Sequence, residues 1–133
     1  MNLASEQERI IVLSHIGGSD AKAIIIVDKN EAGELLSSVV VDSFTGSSCS
    51  AHIWIRVLRL QFFCDVLRYI FVELDCARFT GIVFDNNLQA VNFNTKLGGT
   101  IEGRILQGHP EGDTLLFAHW KHNLERFWSR NHG

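Results

Sequence analysis

The chain has 133 residues, of which 46% are hydrophobic and 20% charged, with one proline and a net charge of −3. That length and balance fit one packed domain spanning 1–133 and exclude a disordered chain. The mild acidity gives no overall basic footprint for nucleic acid, and no run nears the roughly 20 apolar residues of a membrane helix.

The amino-terminal MNLASEQERIIVLSH has early acids and a short apolar run, not the basic start of a signal peptide, so a cytoplasmic location is expected. Residues 23–28 (AIIIVD) form a β-branched run that ends in the turn composition Lys-Asn-Glu-Ala-Gly, and 35–44 (LLSSVVVDSF) is a second extended run. TGSS at 45–48 supplies another turn, and 50–56 (SAHIWIR) alternates as a third antiparallel strand would. In 58–74 the polar residues Gln61, Asp65 and Arg68 fall at helical spacing in an otherwise apolar segment, which predicts a helix lying flat against a sheet. Residues 78–84 (RFTGIVF) read as a central strand, with Gly81 marking a close backbone approach.

Asn86, with Gln89 three residues on, gives a capping-box-like start to a short helix whose inward face is Ala90, Phe93 and Leu97 and whose stop is Gly98. Residues 100–106 and 114–120 follow as a hairpin around QGHPEGD, and a tail helix carries Trp120, Leu124, Phe127 and Trp128 on one side. The order predicts an α+β fold: a mainly antiparallel sheet in which the helical crossover makes one neighbouring pair parallel. Such a pair can splay at its carboxy-terminal ends and leave a crevice for a ligand.

Cys49, Cys64 and Cys76 share no CxxC spacing, so buried thiols are expected. His119 and His122, three apart on a possible helix, do not make a zinc site by themselves. Lys96, Glu102 and Arg104 are expected in surface pairs, and the aromatic tail as a stripe covering the sheet or a subunit contact.

The ordered set Asn87, Ala90, Lys96-Leu97-Gly98, Glu102-Gly103, Arg104 and Gly112-Asp113 resembles the carboxy-terminal half of the GNAT acetyltransferase superfamily. The upstream HIWIR and LQFFCDVLRYIFVELDCARFTGIV are similar to the short GNAT-like proteins of tailed bacteriophages. The resemblance covers roughly residues 23–128. It implies a GNAT-like mixed sheet with a splayed parallel pair, a buried crossover helix and a short second helix. It also marks 1–22 as a shortened amino-terminal region and 119–133 as an aromatic carboxy-terminal tail.

The resemblance further implies direct transfer of acetyl from acetyl-CoA to an amine, with no protein nucleophile. By that analogy His52 is the candidate base and Asn94 stands where many relatives place an acid. Ile53, Trp54, Ile55 and Arg56 would meet the pantetheine arm together with Asn87, Ala90 and Phe93. Val57, Leu58 and Arg59 would lie at the pyrophosphate, near the start of the buried helix. The alternative for His52 is a half-buried strand histidine with a backbone partner, and for Asn87 a helix cap alone. The relatives' glycine-containing phosphate loop has no counterpart in RVLRLQFF, which supports a second reading: a GNAT-fold phage protein without catalysis, acting as a virion component or a binder of a host protein. The hairpin after Gly108 and the tail are candidate homodimer contacts.

Overall fold

The computed structural model describes residues 2–16 and 23–128. Seven strands form one sheet in the order β1-β2-β3-β4-β5-β7-β6. They are β1 (Asn2–Leu3), β2 (Ile24–Lys29), β3 (Leu35–Asp42), β4 (Ser48–Ile55), β5 (Arg78–Phe84), β6 (Thr100–His109) and β7 (Gly112–Trp120), with helices α1 (Glu6–Ile16), α2 (Leu60–Arg68), α3 (Leu88–Lys96) and α4 (Lys121–Trp128). Every neighbouring pair is antiparallel except β4 and β5, which the α2 crossover makes parallel. The fold is therefore α+β, as the sequence predicts. No described helix is long and apolar enough to cross a membrane.

Alternation along the strands divides the sheet into two faces. Ile26, Val39, Val41, Cys49, Ala51 and Phe79 turn to one face, where α2 delivers Phe62, Phe63, Val66 and Leu67 into the main core. Farther along this face Ala90 of α3 packs on Val83, Leu115 and Phe117. On the opposite face Val12 of α1 meets Ile25, Val27 and Val40. Each buried Leu, Val or Phe side chain contributes roughly 1.5–3 kcal/mol relative to exposure, so the α2 layer backs β2 to β5 on one face and the α1 layer backs β2 and β3 on the other. The three cysteines are buried and none is in a disulfide.

Several local expectations are corrected. The 58–74 helix is α-helical only over Leu60–Arg68 and continues as a π-helical turn, Tyr69–Glu73, in which the Leu74 N–H reaches the Tyr69 carbonyl at 2.9 Å. The second strand ends at Asp42, because Ser43 takes a left-handed φ of 54° and turns the chain out of the sheet. The hairpin is tighter than QGHPEGD suggests: β6 runs to His109 and β7 begins at Gly112. His119 lies on β7 and His122 on α4, so no single helix carries both. In the amino-terminal region a two-residue strand precedes α1, where the sequence gives no strand signal. Leu124 is buried against the α2 core, whereas the side chains of Phe127 and Trp128 and all of 129–133 lie outside the described residues.

Candidate active site

Pairing between β4 and β5 runs from Ser48↔Arg78 to His52↔Ile82 and stops there. Beyond that point each strand keeps its other neighbour. Ile53, Trp54 and Ile55 remain paired with Val39, Ser38 and Ser37, while Val83 and Phe84 remain paired with Leu115 and Thr114. The two strands are thus held apart by their outer partners, and their facing edges have no opposing strand. A cavity of about 130 Å³ occupies the gap, lined by His52, Ile53, Trp54, Ile82, Val83, Phe84, Asn87 and Ala90.

The lining draws on both faces of the sheet. His52 is in register with Val40, whose side chain belongs to the α1 layer, whereas Ile53 packs with the α2 core and Ala90 with the α3 layer. The slot is therefore walled by residues of both faces. On the α1 side, His52 Nε2 lies 3.4 Å from Asp42 Oδ1, with both side chains partly exposed. On the other side, Asn87 caps α3, its Oδ1 accepting from the Ala90 N–H at 3.2 Å. This corrects the cap expected at Asn86: the Asn87 N–H closes a turn onto the Phe84 carbonyl, which leaves Asn86 in the turn with its Nδ2 donating to Glu111 Oε2 at 3.0 Å.

Of the residues expected at the site, His52, Ile53, Trp54, Asn87 and Ala90 come together around the slot, and Ile55, Arg56, Val57, Leu58, Arg59, Phe93 and Asn94 are not among its lining. Phe93 makes an edge contact with Phe63, ring centroids 4.6 Å apart, in the α2 core. Asn94 is buried, and both ends of its amide are used: Nδ2 donates to the Ala90 carbonyl at 2.8 Å, and Oδ1 lies 2.7 Å from His119 Nε2. With the amide so oriented, the histidine is the Nε2–H tautomer; its Nδ1 is buried without a partner among the described residues. Burial lowers the His119 pKa to about 4. A Cβ on Gly81 would stand 2.9 Å from Asn94 Oδ1, the close approach expected there.

The segment leading into α2 contains no glycine. The Arg56 and Val57 N–H groups both bind the Leu36 carbonyl, and the side chains of Val57, Leu58 and Leu60 are exposed while Phe62 is in the core. Arg59, the N-cap, makes no side-chain capping bond. Its guanidinium engages both oxygens of the buried Asp28 carboxylate and, at 3.1 Å, the Lys29 carbonyl. Arg56 stands 3.6 Å from Glu34.

Ile82, Val83 and Phe84 line the slot without having been singled out from the sequence. The available signal was positional, since they end the strand that parts from β4. Behind Phe84, the His109 ring stacks at 4.4 Å and its Nε2 lies 3.0 Å from Asp85 Oδ1; that contact, then the Asp113 backbone, lowers the Asp85 pKa. Arg104 pairs with Asp113 and Arg78 with Glu102.

No protein-family model matches the chain, and no curated protein matches its sequence. Solved structures do match in three dimensions, acetyltransferases among them. A mutant of the spermidine/spermine N-acetyltransferase SpeG from Vibrio cholerae is 18% identical, with a TM-score of 0.66 over 91% of this chain and 80% of that one. A chimera built on the same enzyme is 16% identical, with a TM-score of 0.65 over 96% and 81%. A protein of provisional acetyltransferase assignment reaches 0.71 at 15% identity, over 95% and 73%. The chain therefore has the GNAT fold, a mixed α+β sheet with one splayed parallel pair.

Proposed function

We propose that this chain is an N-acetyltransferase that moves acetyl from acetyl-CoA to an amine. The observation that carries the reading is the slot between β4 and β5, walled by residues of both faces, with an imidazole on one side and a helix start on the other. In this reading the pantetheine arm lies in the slot beside Ile53, Asn87 and Ala90, and the facing edges of the two strands offer backbone N–H groups to the arm and to the oxyanion. The amine approaches on the His52 side. His52 takes a proton from it, the amine nitrogen bonds to the thioester carbonyl carbon, and the C–S bond breaks as the tetrahedral intermediate collapses. The thiolate then takes a proton from solvent. Asn94, enclosed by Ala90 and His119, serves this site by fixing α3 to the sheet.

Titration calorimetry with acetyl-CoA and with CoA tests the proposal. Binding heat and thermal stabilisation are expected; neither at millimolar ligand would remove it.

A specific observation favours a second reading, a GNAT-fold scaffold without catalysis, serving as a virion component or host-protein binder. Two loop amides before α2, those of Arg56 and Val57, are bound to Leu36 of β3, and Arg59 is bound to Asp28, which leaves fewer groups to hold a pyrophosphate. Retained turnover that is lost on His52→Ala would exclude this second reading.

A further inference from the structure

We infer that Asp42 is a positioning residue that holds the His52 ring in its Nε2–H tautomer and leaves Nδ1 as the nitrogen that accepts a proton. The inference deepens the transferase reading of the same slot.

Asp42 sits at the last position of β3, in register with Ser50, and His52 lies two residues farther along β4. Positions two apart share a face, so the two side chains form a diagonal cross-strand pair, a separation that a long side chain can bridge. They meet with Nε2 and Oδ1 3.4 Å apart. Beyond Asp42 the chain leaves the sheet at Ser43, whose hydroxyl donates to the same Oδ1 at 3.3 Å and fixes the carboxylate at the strand end. His52 is the one basic side chain within ion-pair distance of Asp42 among the described residues.

A neutral imidazole has one donor and one acceptor nitrogen, and a negative charge beside one of them disfavours a lone pair there. A carboxylate beside Nε2 favours a proton there, so the lone pair resides on Nδ1. Such a partner turns a slot-lining histidine into one of defined orientation.

The test reads the tautomer directly. Long-range nitrogen–proton NMR of the imidazole side chains, with His52→Gln used to assign the His52 signals, should show Nε2 protonated and Nδ1 bare. Asp42→Ala should give a mixture of both tautomers, and Asp42→Asn, which keeps an acceptor oxygen, should retain the Nε2–H form. With acetyl-CoA and an accepted amine, Asp42→Ala should lower kcat about 10- to 100-fold with little change in KM for acetyl-CoA. An Nδ1–H form in the unaltered protein, or an unchanged Nε2–H form in Asp42→Ala, overturns the inference. The expected tautomer pattern in a protein that turns over no amine would uphold the role of Asp42 and remove the transferase reading alone.

Discussion

Arg59 spans the two oxygens of Asp28, a carboxylate that is itself only 5% exposed, and thereby ties the start of α2 to the end of β2. The only arginine at that helix start is committed to structure. Asp28 in turn raises the Arg59 pKa, first through the hydrogen bond itself.

Loosening this pair should expose its cost to anion binding. In Asp28→Asn the carboxylate's charge is gone, and a guanidinium freed toward the helix start should tighten acetyl-CoA about tenfold, measured by calorimetry. Arg59→Ala should do the reverse for stability, leaving a buried carboxylate without its partner and lowering the urea midpoint.

Burial of His119 makes stability depend on pH. His119 has a folded pKa of about 4 against an ordinary value of 6.5, so between those limits the unfolded chain binds more protons. The stability contributed is complete above pH 6.5 and is lost as pH falls toward 4, on the order of 3 kcal/mol in all. His119→Gln can still donate to Asn94 but does not titrate there, and its urea-derived stability should fall less steeply over the same window.

Two glycines make room for the Asn94–His119 contact. A Cβ on Gly99 would lie 2.5 Å from His119 Cε1 and 2.8 Å from the Asn94 backbone oxygen. Neither neighbour can yield easily, one being buried and the other backbone, so Gly99→Ala should cost about 1–3 kcal/mol in chemical denaturation. Gly33, whose added Cβ meets nothing but whose φ is +82°, supplies a comparison governed by backbone strain alone.

Asn87 separates folding from binding. Asn87→Ala removes the bond to the Ala90 N–H and should cost about 1 kcal/mol, whereas Asn87→Ser retains a cap and should be nearly neutral. Both lose the amide that lines the slot, so both should weaken acetyl-CoA binding in the same titration.

The sequence was most readable where periodicity and turn residues agree. Alternation in SAHIWIR, the β-branched AIIIVD and VVV runs, and the single polar stripe of the crossover segment lead directly to β2, β3, β4 and α2. The parallel pair follows from connectivity, and with it the place of the slot. The two-residue β1 has no room for alternation, and the π-helical turn is a change of hydrogen-bond register that leaves no trace in composition. Asn86 and Asn87 are equally suited to a cap, and the turn onto Phe84 chooses between them. The polar contacts that brace the elements around the slot lie far apart in sequence, Asp28 with Arg59 and Asn94 with His119, and depend on register that local pattern does not encode.

If the proposed transfer takes place, a slot walled by residues of both sheet faces lets donor and acceptor draw near from opposite sides. Its walls offer neither thiol nor hydroxyl to carry the acetyl group between visits. Initial rates taken over a grid of both concentrations should give intersecting double-reciprocal lines, the sign of a ternary complex, where parallel lines would require a covalent carrier.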